Sequence, residues 1–405
     1  MDALTTPSNW QKVRLGDIAE IKRGASPRPI ENPKWFCTNS DVGWVRISDI
    51  SKNSRFLYKT AQKLSKKGIE KSRLVKQNSL IMSMCATIGK PIITKIDTCI
   101  HDGFVVFENP KIDLNYLYYF LCYIEKEWLE SGQQGSQVNL NVDLIKNKEV
   151  FYPKDLNEQI AIANILSGLD HYLYTLDALI LKKESVKKAL RIKMLNQILA
   201  SNGVEFRELG DIILSLKTGL NPRSFFKLNT PNANNYYVTI RELEDYTIKF
   251  THQTDRIDDN ALSLCLKRSN LEKDDILFSG TGTIGKVSII EKNPNNWAIK
   301  EGIYSIKPNK KIVFPRFLMF YLESSNIQND IKNKSFGGIV KSIPMNDLQQ
   351  IQIPLPPLNE QIAIANILSG LDHEIISLKN KKRQFDNIKK ALNHDLMSAK
   401  IRVLK

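Results

Sequence analysis

The sequence is poor in features that mark exported, disulfide-bonded or membrane-embedded proteins. Its 405 residues include only five cysteines, which are scattered and form no C-x-x-C pair: Cys37, Cys85, Cys99, Cys122 and Cys265. Neither a disulfide framework nor a zinc site is therefore indicated. No apolar run approaches the roughly 18 residues of a membrane span, and the start lacks a basic segment followed by an apolar core. These absences predict a protein of the reducing cytoplasm.

Catalytic signatures are equally scarce. Residues 280–286 resemble the start of a phosphate-binding loop, but position 287 is valine where a magnesium ligand, Ser or Thr, would stand. Glu20 and Lys22 match half of a metal-dependent nuclease site, and the second half of the chain has no equivalent. The histidines show no metal-ligand spacing, and no G-x-S-x-G or N-P-P-Tyr/Phe segment occurs. We therefore expect no enzymatic activity and no bound metal.

Acidic residues are in deficit, with 43 Asp and Glu against 58 Lys and Arg, which gives a net charge of +15. This excess favours an anionic partner, because clustered basic residues release counterions when they neutralise phosphates. Residues 52–76 carry nine bases and one acid, interleaved with Phe56 and Tyr58. Such interleaving is typical of a nucleic-acid-facing surface, with a solvated charged face as the alternative.

What the chain does contain is a copy of itself. Residues 156–171, LNEQIAIANILSGLDH, recur without a change as residues 358–373. Weaker echoes keep the same order: L-G-D-I at 15–18 returns at 209–212, and T-I-G-K at 87–90 returns at 283–286. A period this long excludes solenoid arrays, whose repeats run to about 20–50 residues. The chain is therefore a tandem duplication.

Each unit divides into a variable first part and a repeated last part, which predicts four regions at 1–155, 156–202, 203–357 and 358–405. The variable parts hold short runs of Ile, Val, Phe and Tyr bounded by Gly, Asn and Pro, which is typical of mixed α/β domains. The repeated parts carry apolar residues at 3-4 spacing, which predicts long helices. We expect an α+β fold with pseudo-two-fold symmetry, in which two long helices form an antiparallel coiled coil. Plain bundle packing is the alternative.

Polar residues of the predicted helices are repeated as well. Duplicated surface predicts two copies of one partner, with a merely solvated outer face as the alternative. The candidate partner-binding residues are Glu158, Gln159, Asp170, Glu360, Gln361 and Asp372. Lysines interrupt the apolar stripe of each helix, among them Lys187 in the first copy and Lys389 in the second.

Together these segments resemble one known family. Residues 152–170, YPKDLNEQIAIANILSGLD, and 354–372, PLPPLNEQIAIANILSGLD, are similar to the segment that closes each target-recognition domain in specificity subunits of type I restriction-modification systems. The resemblance also covers L-G-D near the start of each half, a G-x-x-P-R turn, T-I-G-K, a Gly-rich loop and the helical tail. The first copy departs from the second at residues 152–155.

The resemblance implies that each variable part is a target-recognition domain that reads one half of an asymmetric, interrupted DNA sequence. The helices would set the spacer between the halves and dock two methyltransferase subunits, which use S-adenosylmethionine. An endonuclease subunit that needs ATP and magnesium can join. The implied partners are thus double-stranded DNA and these subunits, without a membrane, and this chain would hold no cofactor itself.

Candidate DNA-contacting residues are polar or basic residues of predicted loops, because Lys and Arg position a protein on phosphates while Gln, Asn, Ser and Arg reach base edges. In the first half they are Arg23, Ser26, Arg28, Lys52, Arg55, Lys59, Lys90, Gln133, Gln134, Ser136 and Gln137. In the second half they are Lys217, Asn221, Arg223, Lys286, Ser335 and Lys341. A surface or turn-forming role is the alternative for each.

Two other functions stay open from the sequence. A coiled-coil adaptor could link two proteins without binding DNA, which would make the basic charge incidental. A magnesium-dependent nuclease would use Glu20 and Lys22.

Overall fold

A computed structural model describes residues 8–51, 55–131, 140–200, 203–222, 225–337 and 340–403. The chain forms two compact units. Unit 1 consists of Met1–Thr175 and Lys382–Lys405, and unit 2 consists of Leu176–Lys381. Each unit therefore contains a portion of region 156–202 and a portion of region 358–405.

Unit 1 contains short strands and helices that precede one long helix. Its strands are β1 (Trp10–Arg14), β2 (Glu20–Arg23), β3 (Gly43–Val45), β4 (Phe56–Leu57), β5 (Gln62–Lys63), β6 (Arg73–Val75), β7 (Leu80–Ser83), β8 (Pro91–Thr94), β9 (Thr98–Ile100), β10 (Phe104–Glu108) and β11 (Glu149–Pro153). Its helices are α1 (Leu15–Ile18), α2 (Ile47–Ser51), α3 (Lys66–Glu70), α4 (Leu114–Tyr123), α5 (Glu125–Ser131), α6 (Val142–Asn147) and the start of α7 (Leu156–Ala200).

Unit 2 repeats this order after the end of α7. Its strands are β12 (Glu205–Glu208), β13 (Ile213–Thr218), β14 (Asn235–Val238), β15 (Leu243–Glu244), β16 (Thr247–Ile248), β17 (Arg256–Ile257), β18 (Ile276–Ser279), β19 (Val287–Ile289), β20 (Trp297–Ile299), β21 (Ile303–Pro308) and β22 (Gln352–Leu355). Its helices are α8 (Asp259–Arg268), α9 (Pro315–Leu322), α10 (Ser325–Lys334), α11 (Met345–Gln349) and the start of α12 (Leu358–Met397). Unit 2 also contains the end of α7, and unit 1 contains the end of α12.

The inner strands of each central sheet are buried on both faces, which explains why β7, β10 and β18 are almost entirely apolar. In unit 1 the strand order is β2-β10-β7-β8-β4. Along β7, Leu80 and Met82 pack into the core around α4, whereas Ile81 packs toward the second sheet, β5-β3-β9-β6. Unit 2 has the equivalent sheet β13-β21-β18-β19, with Phe278 toward α9 and Leu277 toward β14 and β20. Both patterns follow from the two-residue period of a strand.

The long helices α7 and α12 pack antiparallel within each unit. In unit 1 the Tyr172 and Phe385 rings lie 4.6 Å apart, where the start of α7 meets the end of α12. In unit 2 the ammonium of Lys379 lies 2.8 Å from Glu184, where the end of α7 meets the start of α12. The prediction of an α+β fold with two long antiparallel helices is confirmed.

Candidate nucleic-acid interface

Three of the predicted DNA-contacting residues converge on Asp102 in unit 1. The Ser26 hydroxyl donates to Asp102 Oδ1 at 2.7 Å, and the Arg28 guanidinium donates to Oδ2 at 2.9 Å. Arg23 Nε donates to the Asp102 carbonyl oxygen at 2.7 Å. Partial burial opposes ionisation of Asp102, but the bond from Ser26 and the charge of Arg28 outweigh it and lower the pKa of this carboxyl. The loop after β2 therefore presents two exposed cations around one fixed carboxylate.

A glycine permits this arrangement. A Cβ at Gly24 would lie 2.0 Å from the His101 carbonyl oxygen, because the Gly24 N–H donates to the Phe104 carbonyl at 2.8 Å. Only glycine lets the two backbones approach so closely. A cavity of about 290 Å³ opens beside the contact, with Arg23, His101 and Asp102 in its lining. The turn between β9 and β10 thereby becomes part of the candidate surface.

Unit 2 contains a turn equivalent to the turn between β9 and β10, formed by related residues. The Gly302 carbonyl accepts from the Gly280 N–H at 2.8 Å, as the Gly103 carbonyl accepts from the Met84 N–H at 2.8 Å. Glu301 therefore occupies the place of Asp102. Sequence reasoning missed both acids, although each precedes a glycine and their offset of 199 residues lies between those of the T-I-G-K repeat and the sixteen-residue repeat. A complete comparison of the chain with itself would have found them.

The two T-I-G-K segments form the same strand-turn-strand, between β7 and β8 and between β18 and β19. Gly89 and Gly285 adopt φ of +74° and +90°, a region that side chains disfavour. The Lys286 side chain is exposed and donates to the Ile240 carbonyl at 3.2 Å, whereas Lys90 is half-buried. Both lysines sit at the end of the turn, so each unit carries one cation there.

Arg55 lies in the interior, which corrects its expected position on a basic surface. Its side chain is 7% exposed, and its guanidinium donates to Ser167 Oγ at 2.5 Å and to Asn115 Oδ1 at 2.6 Å. Its guanidinium carbon also lies 5.0 Å from the centre of the Tyr119 ring. Burial with hydrogen bonds and ring contacts makes Arg55 a link between α4 and α7, so its guanidinium is not available to a phosphate.

The lysines between β4 and β6 do face solvent. Lys59 is exposed, as are four lysines that we call the lysine cluster: Lys63, Lys66, Lys67 and Lys71. Within the described part of the chain, no carboxylate lies at ion-pair distance from any of these four. Their charge is therefore available to a phosphate backbone.

The remaining candidates of unit 2 lie on two neighbouring segments. Lys217 is exposed on β13, and Asn221 follows it in the next loop. Lys341 is exposed, and its carbonyl accepts from the Gly282 N–H at 2.8 Å, which joins the Gly-rich segment to the turn after β18. Ser335 turns inward and donates to the Ile331 carbonyl. Lys52, Gln133, Gln134, Ser136, Gln137 and Arg223 lie outside the described residues.

The helical candidates correct the expectation of an outward-facing polar surface. Gln159 and Gln361 are 3% and 1% exposed, and they accept from the backbone N–H groups of Asp113 and Phe314 at 2.8 Å each. Each glutamine therefore anchors the loop before α4 or α9. Glu158 is buried against Asn9, whose amide donates to it at 2.9 Å. Of the two repeated glutamates only Glu360 is exposed.

The repeated aspartates neutralise the lysines that interrupt the apolar stripes. Lys187 lies 2.5 Å from Asp372 in unit 2, and Lys389 pairs with Asp170 in unit 1. Burial raises the pKa of Asp372, and the Lys187 charge partly offsets that rise. These aspartates are thus engaged inside the helix pairs.

A different face of the repeat is exposed in both units. It consists of Leu156, Asn157, Asn164, Ile165 and Gly168, with their copies Leu358, Asn359, Asn366, Ile367 and Gly370, and we call it the repeated outer face. Ile165 and Ile367 are 39% and 47% exposed. A Cβ at either glycine would meet nothing within 4 Å. The exposed part of the repeated segment therefore lies on residues other than the predicted partner-binding ones, apart from Glu360.

The nuclease candidates Glu20 and Lys22 are paired with each other at 2.9 Å, and Lys22 also bonds Glu108 at 2.5 Å. Among the described residues, no group of three or more His, Cys, Asp or Glu side chains could hold a metal ion. No helix in the described part of the chain is long and apolar enough to cross a membrane.

Two α/β units with this order of elements, each packed on an antiparallel pair of long helices, define a class of internally duplicated α+β proteins. A crystal structure of a type I restriction-modification S subunit from M. genitalium matches with a TM-score of 0.62 at 16% identity, over 98% of this chain and 97% of that one. A chain from a study of complex assembly and conformational transition of the type I R-M system matches with a TM-score of 0.56 at 15% identity, over 97% and 98%. These likenesses establish the fold.

Sequence comparison establishes the family. The family model described as "Type I restriction modification DNA specificity domain" matches twice, over residues 7–183 and 201–385. The chain belongs to this family, which confirms the resemblance. It is 28% identical, over 98% of its length and 95% of the relative's, to a Methanocaldococcus jannaschii protein provisionally named the type I restriction enzyme MjaX specificity subunit. It is 24% identical, over 100% and 95%, to the type I restriction enzyme MjaVIII specificity subunit of that organism.

Proposed function

We propose that this chain is the DNA-recognition subunit of a type I restriction-modification system. Residues 1–155 read one half of a bipartite, asymmetric target, and residues 203–357 read the other. The helical regions 156–202 and 358–405 set the spacer between the halves. The chain supplies sequence recognition without catalysis of its own and works in the cytoplasm, where the endonuclease subunits and the DNA are found.

The observation that carries this proposal is the occurrence of one surface in both units with different side chains. Arg23, Ser26 and Asp102 stand in unit 1 where Thr218, Asn221 and Glu301 stand in unit 2. A shared scaffold with exchanged polar groups suits two readers of different base edges, because donors and acceptors in the major groove distinguish the base pairs. The exposed lysine cluster would add contacts to phosphates, which position the reader.

The repeated outer face supports the docking of two identical methyltransferase subunits. Leu156 and Ile165 are large apolar side chains left exposed, and Leu358 and Ile367 repeat them in the other unit. Glycine inside a helix costs about 0.5–1 kcal/mol relative to alanine, so Gly168 and Gly370 weaken their helices without an internal contact to explain them. Close approach of a partner at both places accounts for this cost.

The test is an exchange of recognition domains. Residues 1–155 are replaced by the corresponding part of the MjaVIII subunit, and the chimera is expressed with the methyltransferase subunits of its own system. Sequencing of methylated adenines in the host DNA should show one changed half-site, with the other half and the spacer unchanged. The matched control replaces residues 203–357 and should change only the opposite half.

Changes in both halves after a single exchange would overturn the two-reader proposal. If the assembly of this chain with its methyltransferase subunits failed to bind duplex DNA at low salt, the whole proposal would fall.

A further inference from the structure

Asp102 is the acceptor at the centre of the surface around β2, although it carries a charge opposite to that expected of a DNA contact. Its two carboxylate oxygens are taken by different donors, Ser26 on Oδ1 and Arg28 on Oδ2. Its backbone oxygen holds Arg23. The side chain of Asp102 is 40% exposed and that of Arg28 is 73% exposed, so the group lies at the surface.

The turn that carries Asp102 is itself fixed. The Gly103 N–H donates to His101 Nδ1 at 2.9 Å, and the Gly103 carbonyl accepts from the Met84 N–H at 2.8 Å. The close approach of Gly24 to the His101 carbonyl locks the opposite side of the loop. Asp102 therefore lies on a rigid turn and fixes the side chains of Ser26 and Arg28. Precise contacts with base edges require side chains that are fixed in this way.

We propose that Asp102 is a specificity-determining residue of the first recognition domain. It fixes Ser26 and Arg28 in one arrangement, and it withholds the Arg28 charge from phosphates until a duplex with the correct base edges displaces or joins the pair. This inference rests on the proposed function and adds a residue that discriminates between DNA sequences.

The physical reason is that an unrestrained arginine binds any phosphate. Each phosphate neutralised adds affinity that does not depend on sequence, with a slope of about −0.9 in log K against log salt. A carboxylate beside the arginine cancels most of that gain on wrong sequences. Only a DNA sequence whose base edges bond Ser26, Arg28 and Asp102 together recovers the lost binding free energy. The ratio of specific to non-specific DNA binding therefore rises.

The test uses the full chain with its methyltransferase subunits and two probes, a library of random-sequence duplexes and one fixed non-target duplex. The variant Asp102→Asn should bind the non-target duplex more tightly, with a salt slope steeper by about one phosphate. Among library sequences, its discrimination at one or two base pairs of the first half-site should fall by about tenfold or more, the usual cost of a mismatch. The second half-site should be unchanged.

Three further variants separate this role from charge alone and from a folding defect. Asp41→Asn makes the same charge change at an exposed aspartate that has no ion-pair partner among the described residues, and it should leave discrimination intact. Asp102→Glu keeps the carboxylate and should retain the discrimination between DNA sequences, because Glu301 stands at the equivalent place in unit 2. Ser26→Ala removes one hydrogen-bond donor to Asp102 without changing charge. It should weaken discrimination at the first half-site and leave the salt slope of binding unchanged.

The outcomes distinguish the two proposals. If the unmodified assembly selects no bipartite sequence from the library, the proposed function fails. If it selects one and both Asp102→Asn and Ser26→Ala select it with the same preference, only the role of Asp102 is overturned. Equal loss of discrimination in Asp41→Asn would likewise overturn it, because net charge alone would then explain the effect.

Discussion

The lysine inside the helix pair of unit 2 allows a quantitative prediction. Lys187 is 8% exposed, and it lies 2.5 Å from Asp372 and 2.9 Å from the Tyr246 hydroxyl. Its ammonium also lies 4.0 Å from the centre of the Tyr246 ring. We expect Lys187→Met to destabilise unit 2, because methionine fills much of the space but leaves the Asp372 charge buried without its partner.

The magnitude follows from that burial. Removing one partner of a buried ion pair costs about 3–5 kcal/mol, whereas replacing both by apolar residues is often neutral or stabilising. For a unit of this size, 1 kcal/mol shifts Tm by about 2–4 °C, so the single variant should melt roughly 6–20 °C lower. Lys187→Met combined with Asp372→Leu should recover most of the loss. The matched control Lys188→Met changes an exposed neighbour and should stay within about 0.5 kcal/mol of the original.

The loss should also depend on pH. The pKa of Asp372 is raised by burial, and removal of the Lys187 charge raises it further. When the pKa of a carboxyl group is higher in the folded chain than in the unfolded chain, the folded state becomes less stable as pH rises from the lower pKa to the higher one. The gap between Lys187→Met and the original chain should therefore be smaller at pH 5 than at pH 8, with a slope of at most about 1.4 kcal/mol per pH unit.

Urea unfolding and thermal melting, both followed by circular dichroism at the two pH values, measure the free energy of unfolding and Tm. The reasoning is refuted if Lys187→Met behaves like Lys188→Met, if the double variant is no more stable than the single one, or if the gap widens toward pH 5.

Three other predictions follow from the same contacts. Gln361→Leu leaves the Phe314 N–H without its acceptor and the Pro356 carbonyl without its donor, so it should cost about 1–3 kcal/mol in urea unfolding, whereas Glu360→Leu at the exposed neighbouring position should stay within about 0.5 kcal/mol. Gly168→Ala with Gly370→Ala should stabilise the free chain by about 1–2 kcal/mol in thermal melts and weaken capture of the methyltransferase subunits; unchanged capture would exclude this face as the interface. Replacing the lysine cluster by glutamine should flatten the salt dependence of DNA binding by up to about four phosphates, and an unchanged slope would make the cluster a solvated face.

The long helices were predictable because a 3-4 spacing repeated over many turns leaves few alternatives. Leu166, Leu173 and Leu368 are buried as that spacing requires. The interruptions at Lys187 and Lys389 could not be explained from one helix, since their partners Asp372 and Asp170 stand on the other helix about 200 residues away in the chain.

The polar residues show more clearly what could not be predicted from the sequence. Identity between the copies marked Gln159 and Gln361 as important, but it did not distinguish a side chain that binds a partner from one that caps a buried loop. The position of Arg55 was predicted wrongly for the same reason, because Lys59 and the lysine cluster are exposed whereas the Arg55 guanidinium bonds Asn115 and Ser167. Charge density along the chain does not report which way one side chain turns.

The division of the chain into units has a consequence for biosynthesis. Unit 2 is one continuous stretch, Leu176–Lys381, whereas unit 1 needs Lys382–Lys405 to complete it. At about 5–20 residues per second, the ribosome finishes those residues roughly 12–46 seconds after it has made the first part of unit 1. The half of the protein that is synthesised first is therefore the half that is completed last. During that interval, the apolar surface of early α7 that faces Phe385 and Leu396 has no partner from α12.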